Sequence, residues 1–314
     1  MKLVITGGLG FIGINLAQHI RRHHDGIHLT AIDWLENPAR EDCELFDHVH
    51  HGDFSAPDAL PLLEGADAIV HLAACSSVQE SLRDPAFCFR NNVAASFRLI
   101  DHMRRHARGA KLVFASTGGA IIGNSDAPIR ETDPPRPISP YGASKLAVEG
   151  MISANAAAYG LNGVNLRLAN VYGPHSRRQS GVVAEFCRAA LGNGVLRING
   201  DGRQTRDFIH TDDVSRAVME VIATDLRGTF NIGTGKAISI LELVEIIERN
   251  APEHVALKRV HRPASDGEVM HSCSDISLIR EAIGYHPRIG LEEGIRDTMA
   301  WFRENERVIA AVAE

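Results

Sequence analysis

The chain has 314 residues, of which 44% are hydrophobic, and a formal net charge of −6 at pH 7. That length provides a large core, in one big domain or two closely joined ones, and the hydrophobic share is ordinary for a globular protein. The acidic balance gives no electrostatic reason for nucleic acid or an anionic membrane to bind, so neither is expected as a partner.

The cysteines and histidines favour neither a disulfide framework nor a metal site. The five cysteines are odd in number, scattered, and form no Cys-x-x-Cys pair, which favours reduced thiols. The sixteen histidines include no His-Glu-x-x-His spacing, and runs such as His23–His24 are expected to be solvated surface. A predicted strand from Lys2 and the lack of an 18-residue apolar run lead us to expect a cytoplasmic protein without a signal peptide or membrane span.

The first half of the chain alternates predicted strands with predicted helices. Short apolar runs predict strands at residues 2–6, 28–32, 67–72 and 111–116, and amphipathic stretches predict helices at 11–24, 85–105 and 141–159. This alternation indicates an α/β fold with a doubly wound parallel sheet of the Rossmann type. A proline-rich stretch, residues 129–140, predicts a surface loop before the helix at Tyr141, because proline cannot donate to a strand ladder.

The rhythm changes after a predicted strand at 165–169. Segments become shorter and glycines more frequent, and long amphipathic helices return at 211–224, 239–250 and 291–304. We therefore predict a first domain over residues 1–169 and a smaller α/β substrate-binding domain over 170–314. Segments such as 203–230 are expected to return to the first domain.

A glycine-rich turn, residues 7–13, joins the first strand to the first helix. Gly7 allows a tight turn, Gly10 lets the backbone approach a pyrophosphate, and Gly13 lets the helix pack against the strand. The helix N-terminus offers N–H groups to phosphate. Asp33, at the end of the second strand, is placed to bind the adenosine ribose hydroxyls and would repel a 2′-phosphate. The pattern therefore predicts a dinucleotide site that prefers NAD to NADP. Asp53 is either an adenine contact or a turn residue.

Tyr141 and Lys145 are the candidate catalytic residues. A spacing of four places them about one turn apart on one face of a helix. A lysine ammonium beside a phenol favours the phenolate and lowers a tyrosine pKa from its usual value of about 10. A base that takes a hydroxyl proton, next to a nicotinamide that takes a hydride, is suited to oxidising an alcohol.

The motifs together resemble the extended short-chain dehydrogenase/reductases, in particular the nucleotide-sugar 4-epimerases and their dehydratase relatives. The matching segments occur in order along nearly the whole chain, at residues 6–13, 71–74, 116–123, 141–145, 170–174, 200–208, 212–214 and 230–235. The resemblance implies bound NAD and a UDP-sugar substrate. It also implies a homodimer, formed by the helices that begin near Pro85 and Tyr141.

The same resemblance implies a set of site residues and no metal. Thr117 would complete the catalytic set of Tyr141 and Lys145, with Ser116 as the alternative. Expected cofactor-binding residues are Gly7, Gly10, Phe11, Ile12, Gly13, Asp33, Asp53, Phe54, Leu72, Ala73, Ala74, Tyr141 and Lys145. Expected substrate-binding residues are Ser77, Thr117, Asn170, Arg177, Val182, Arg197, Arg206 and Arg262.

The reaction implied is a 4-epimerisation through transient oxidation at C4 of the sugar. Gly118 and Gly119 stand where the dehydratases usually have an Asp-Glu pair, which favours an epimerase over a 4,6-dehydratase. A non-catalytic NAD-binding protein on the same fold is the third alternative.

The sugar stays open among the glucose/galactose, N-acetyl and uronic acid forms. Ser272 occupies a position where a bulky residue would exclude N-acetyl groups. Arg177 and Arg178 are either solvated surface or contacts for a carboxylate at C6. Ser265 stands where relatives have a second diphosphate arginine, which Arg262 would have to replace.

Overall fold

A seven-stranded parallel sheet forms the centre of the molecule. The computed structural model describes residues 1–177, 181–264 and 269–305. The strands of this sheet are β1 (Lys2–Thr6), β2 (His28–Asp33), β3 (His48–His51), β4 (Ala68–His71), β5 (Lys111–Thr117), β6 (Gly163–Leu168) and β10 (Gly228–Ile232). Their order across the sheet is β10–β6–β5–β4–β1–β2–β3, and every neighbouring pair is parallel. The predicted doubly wound α/β sheet is confirmed.

Helices connect these strands and cover both faces of the sheet. The long helix predicted at 85–105 is one helical path whose middle, residues 89–94, has π-helical geometry. A short 3₁₀ turn spans Leu60–Leu63. The helices of this part are α1 (Phe11–His23), α2 (Arg40–Cys43), α3 (Val78–Arg83), α4 (Pro85–Cys88), α5 (Ala95–His106), α6 (Gly119–Ile122) and α7 (Pro140–Tyr159).

The remaining elements build a second, smaller lobe and also return to the first. They are β7 (Asn170–Tyr172), α8 (Val182–Leu191), β8 (Val195–Asn199), β9 (Thr205–His210), α9 (Thr211–Ile222), β11 (Ala237–Ser239), α10 (Ile240–Asn250), β12 (Lys258–Arg262), α11 (Ser277–Ile283) and α12 (Leu291–Glu304). The strands form two small sheets, with the orders β11–β9–β7 and β12–β8. Helix α9 packs against α1, and β10 pairs with β6, so this part of the chain lies against the main sheet.

Three large apolar clusters and a small one around Ile121, Ile122 and Ile129 account for the packing of the described residues. One face of the main sheet packs with α1 and α9 and the other with α5 and α7, so the central strands are buried on both sides. A third cluster joins α8, α10 and α12 in the second lobe through side chains such as Phe186, Leu243 and Phe302. Among the residues described, no helix has the length and apolar character needed to cross a membrane.

Helix α7 has strong signals at both ends. Ser139 caps its N-terminus by accepting a hydrogen bond from the Gly142 N–H at 3.1 Å, and Pro140 occupies the first turn. Gly160 ends it in the left-handed conformation, with φ of +74°. A Cβ on Gly142 would lie 2.7 Å from the Ala120 carbonyl carbon, so only glycine lets α7 approach α6 this closely. The first turn, which carries Tyr141, is therefore held in place.

Candidate functional site

A cleft of about 810 Å³ opens at the carboxyl edge of the main sheet, between the two lobes. This is where open α/β sheets bind ligands, and the volume suits a sizeable ligand. Most of the residues predicted from the sequence line it. They are Gly7, Gly10, Phe11, Ile12, Gly13, Asp33, Asp53, Phe54, Leu72, Ala73, Ala74, Ser77, Thr117, Tyr141, Lys145, Asn170, Arg177 and Arg206.

Three predicted substrate residues are not part of the cleft wall. Val182 instead lines a small side pocket that it shares with Asn170. Arg197 and Arg262 are exposed, and neither belongs to the cleft lining. Strand β8 alternates, so the burial of its neighbours Leu196 and Ile198 in the second-lobe core turns Arg197 to the opposite face. Arg178 and Ser265 lie outside the described residues.

The glycine turn has little room for side chains. Gly7 has φ of +72°, and a Cβ there would lie 2.7 Å from the Ala73 amide nitrogen. A Cβ on Gly13 would lie 2.6 Å from the Gly7 carbonyl oxygen. Gly10 precedes α1 and has no side chain to cap it. The helix N-terminus therefore faces the cleft as a cradle that suits a pyrophosphate.

The two predicted adenosine contacts, Asp33 and Asp53, both accept hydrogen bonds from the protein backbone. Asp33 accepts backbone hydrogen bonds from Leu9 and Leu35, both at 3.0 Å. Burial raises the pKa of Asp33, and these bonds partly offset that. Asp53 holds a turn by accepting from the Ser55 amide at 2.8 Å, yet it also lines the cleft. Both interpretations of Asp53, as a turn residue and as a cleft contact, are compatible with this geometry.

Ser116 and Thr117 occupy different environments at the end of β5. The Ser116 hydroxyl donates to Glu149 Oε1 at 2.6 Å, and Glu149 forms a buried ion pair with Arg167 at 2.8 Å. Thr117, the last residue of the strand, is partly exposed and lines the cleft. The Ser116 hydroxyl is therefore committed to the ion pair, whereas Thr117 is the hydroxyl presented to a ligand.

Tyr141 and Lys145 project from the first turns of α7 toward the cleft. Burial raises the pKa of Tyr141 above its usual value, and nearby Cys88 and Cys75 add to the effect. The Lys145 ammonium donates to the Ala115 carbonyl at 2.8 Å and lies 6.0 Å from the centre of the phenol ring. The expectation that the pKa of Tyr141 is lowered is therefore wrong for the protein alone, because burial of the phenol raises it.

Lys145 itself sits in a buried setting. Burial lowers its pKa to about 8, against an opposing effect of nearby Cys88 and Glu149. At neutral pH, Lys145 is therefore protonated in most molecules. A cation remains available beside the phenol.

A buried histidine lies close to this lysine. His71, at the end of β4, has the Thr6 hydroxyl 2.7 Å from Nδ1 and Ser96 Oγ 2.8 Å from Nε2. Because Ser96 Oγ donates to the Asn92 carbonyl, Nε2 carries the proton and Nδ1 accepts from Thr6. Burial and the charge of Lys145 lower the pKa of His71 to about 3, so its ring is neutral and adds no charge.

Arg177 forms an ion pair with Asp42, a partner that the sequence did not predict. Its guanidinium donates to Asp42 Oδ2 at 2.6 Å and lies 5.8 Å from the centre of the Trp301 ring. His175, with φ of +60°, lies beside the same carboxylate. This contact joins the loop after β7 to α2, and a substrate carboxylate would have to compete with Asp42 for Arg177. A partner 135 residues away leaves no local sequence signal.

Arg206 projects from β9 into the cleft. Its Nη1 donates to the Thr205 carbonyl at 2.8 Å. The next residue, Asp207, accepts from the Thr234 amide and hydroxyl and from the Gly235 and Ser274 amides. Asp207 therefore anchors the strand that positions Arg206, a structural role that the sequence motif did not distinguish from binding.

Carboxylates are confined to one end of the cleft. Among the described residues that line it, the acidic ones are Asp33 at the end of β2, Asp42 in α2 and Asp53 just after β3. At the Tyr141 end, a Cβ on Gly119 would lie 2.6 Å from Ser272 Oγ, which leaves little room for an acidic side chain. The Tyr141 end of the cleft therefore offers a phenol, and the described residues that line it provide no carboxylate there.

Comparisons with known proteins agree with this geometry. The family model described as "NAD dependent epimerase/dehydratase family" matches residues 3–233. The UDP-glucose 4-epimerase of Mycolicibacterium smegmatis is 33% identical over 320 residues, covering 98% of this chain and 100% of that protein.

Two solved structures are also similar. The UDP-glucose 4-epimerase of Thermotoga maritima, solved with UDP-glucose, has a TM-score of 0.90 at 32% identity and covers 98% of this chain and 100% of its own. The UDP-glucose 4-epimerase of Thermus thermophilus, solved with NAD, has a TM-score of 0.88 at 32% identity, with coverage of 96% and 99%.

Proposed function

The chain belongs to the NAD dependent epimerase/dehydratase family, and on that premise we propose that it catalyses the 4-epimerisation of a UDP-hexose, with UDP-glucose and UDP-galactose as the principal pair. NAD is its cofactor. The observation that carries the proposal is the convergence of Thr117, Tyr141 and Lys145 in a cleft whose catalytic end lacks a carboxylate among the described residues.

The cleft suits NAD. The glycine turn and the N-terminus of α1 would hold the pyrophosphate, and the Asp33 carboxylate would accept hydrogen bonds from the adenosine ribose. When bound, NAD supplies a hydride acceptor for C4 of the sugar, and its oxidised nicotinamide carries a positive charge that favours a phenolate at Tyr141.

Each catalytic residue then has a distinct task. Tyr141 takes the proton of the sugar 4-hydroxyl and later returns it. Thr117 hydrogen-bonds the same hydroxyl and orients it toward the phenol. Lys145 would hold the nicotinamide ribose and provides a positive charge near Tyr141. Asn170 and Arg206, on the second-lobe side, contact the UDP diphosphate, where a planar guanidinium suits phosphate oxygens.

The same site argues against the two rival functions. A 4,6-dehydratase eliminates water with the help of an acidic pair, and Gly118 and Gly119 stand in its place. A non-catalytic NAD-binding protein has no need of the tyrosine, the lysine and the threonine together. Ser272 lines the cleft with a small side chain, where a bulky residue would exclude an N-acetyl group, and this supports acceptance of N-acetyl forms as well.

Proton NMR tests this proposal. Purified protein is mixed in turn with UDP-glucose, UDP-N-acetylglucosamine and UDP-glucuronate, without added cofactor. We expect a new anomeric signal from the C4 epimer of UDP-glucose. A 4-keto-6-deoxy product would instead establish elimination, and no change with any of the three sugars would contradict the proposal.

We also propose that the enzyme is a cytoplasmic homodimer. All five cysteines are free thiols, as expected in a reducing compartment. Exposed aromatic side chains occur along the predicted dimer helices, at Phe87, Phe89 and Phe97, whereas Val93 and Ile100 belong to the protomer's own core. Exposed aromatic residues in one region support an interface with a second copy.

A further inference from the structure

Three potential metal ligands converge on the surface where α1 meets α9. His19 and His23 are four residues apart in α1, so they share one face of the helix, and Asp212 is in the first turn of α9. One ligand atom from each lies within 4.8 Å of the others. None of the three lines the catalytic cleft.

The geometry is partly fixed by burial and hydrogen bonds. His19 is only 6% exposed, and its Nδ1 lies 2.8 Å from Asp212 Oδ1. The Asp212 amide donates to His210 Nδ1 at 3.2 Å. His23 is exposed near the end of α1, with its ring centre 4.7 Å from that of His19. Two ligands are therefore held together and the third is free to adjust.

Contacts one turn earlier hold the two helices in register. Asn15 Nδ2 donates to the Pro174 carbonyl at 2.9 Å, and Asn15 Oδ1 accepts from the Thr211 hydroxyl at 3.1 Å. Since Thr211 directly precedes Asp212, the position of the carboxylate relative to α1 does not depend on the histidines. The cluster is therefore a consequence of the fold and present before any ion binds.

The ligand set suits a borderline-soft divalent ion. Zinc takes histidine nitrogen and carboxylate oxygen at about 2.0–2.2 Å, so tetrahedral ligand atoms lie about 3.3 Å apart. His19 and Asp212 would separate by about half an ångström, and His23 would move inward by a rotamer change. Two histidines at this helical spacing with one acidic ligand are a recurring zinc-binding arrangement.

We propose that His19, His23 and Asp212 bind one divalent transition-metal ion of the Zn²⁺, Co²⁺ or Ni²⁺ class, with water completing the coordination. The ion links α1, which follows the glycine turn, to α9, which follows the second-lobe strand β9. His23 is exposed, as the sequence predicts, and the proposal gives this surface residue the role of a ligand. The site is separate from the sugar chemistry and does not depend on the proposed epimerase activity.

The chain contains a matched comparison for this site. His102 and His106 in α5 have the same spacing and a ring-centre distance of 4.7 Å, and Glu64 lies 3.3 Å from His102 Nε2. Within the described parts of the chain, however, only the His19 cluster brings three ligand atoms into mutual range. The His102–His106 pair therefore tests whether two histidines four residues apart on a helix are sufficient to bind a metal ion.

The experiment titrates tag-free, chelator-treated protein with ZnCl₂ by calorimetry, and with CoCl₂ by visible absorption. We expect one ion per chain and a rise of the melting temperature with zinc. H23A removes an exposed ligand that folding does not need and should weaken binding at least tenfold. D212N should do the same, while H106A should bind as the wild type does. Circular dichroism verifies that each variant is folded.

Three results would overturn the proposal. The first is wild-type protein that binds much less than one ion per chain. The second is H23A with unchanged affinity and an unchanged zinc-dependent rise in melting temperature. The third is H106A weakened as much as H23A, which would mean that any helical histidine pair suffices.

Discussion

At Tyr141, burial and the nearby thiols act in the same direction on one phenol. Burial raises its pKa, Cys88 and Cys75 add to the effect, and the Lys145 ammonium lies 6.0 Å from the ring centre while it donates to the Ala115 carbonyl. The positive charge of an oxidised nicotinamide would favour the phenolate. We infer that the tyrosine is a base only in the holoenzyme.

Replacement of Tyr141 by phenylalanine tests this role. Y141F removes the proton acceptor while keeping the ring, so epimerisation should fall by about 10²–10⁴-fold. Bound NAD should be retained. Epimer formation is followed by NMR, and NAD is quantified after heat release.

Tyr159 supplies the control for that variant. It belongs to the same helix α7 but is 60% exposed at the far end. Y159F should keep wild-type turnover. Activity of Y141F within tenfold of the wild type would mean that another group accepts the proton.

At the scale of elements, the β1–α1 turn shows how backbone conformation and packing combine. Gly7 and Gly26 have nearly the same positive φ, +72° and +69°. A Cβ on Gly7 would lie 2.7 Å from the Ala73 amide nitrogen, whereas a Cβ on Gly26 meets nothing within 4 Å. A side chain at either glycine would therefore cost the same backbone strain, but only at Gly7 would it also collide with neighbouring atoms.

Alanine at each position gives contrasting outcomes. G26A should lose only the roughly 1–2 kcal/mol of a left-handed alanine and keep its NAD. G7A should lose more stability and most of its NAD, because the turn must move away from Ala73. Urea unfolding and the NAD content of the purified protein measure both effects. Equal losses in the two variants would show that close packing at Gly7 is unimportant.

Short sequence patterns predicted those parts of the site whose residues lie close together in the chain. The glycine turn, Asp33 and the Tyr141–Lys145 pair follow from strand, turn and helix signals, and the structure places all of them on one cleft. The exposure of Arg197 was also readable, since it alternates with the apolar residues Leu196 and Ile198.

Long-range pairings could not be read in this way. The Arg177–Asp42 contact and the convergence of Asp212 with His19 join residues separated by 135 and 193 positions. The raised pKa of Tyr141 likewise depends on burial by the whole fold, and its sequence neighbours do not determine it. These features require the assembled molecule.

For the whole molecule, the proposed dimer makes a prediction about mass in solution. Phe89 and Phe97 are 59% and 52% exposed on the helices expected to pair. Charging this surface, in F89E/F97E, should convert a dimer to a monomer, because a buried glutamate pair opposes association. Light scattering after size exclusion gives the mass.

Leu278 provides the control for that variant. It is 43% exposed on α11, away from the proposed interface. L278E should remain dimeric. A monomeric wild type would mean that there is no such interface. A dimer that survives F89E/F97E would mean that the interface lies elsewhere on the surface.

The Arg177–Asp42 ion pair has a consequence for how the enzyme meets its surroundings. Both residues line the cleft, and together they tie the loop after β7 to the segment after β2. If NAD occupies the cleft beneath this ion pair, its release requires the pair to open, which would slow cofactor exchange relative to turnover. An epimerase with such a clasp would carry its own oxidant from one reaction to the next. Its rate would then follow the supply of sugar nucleotide and would be insulated from swings in the redox state of the cell.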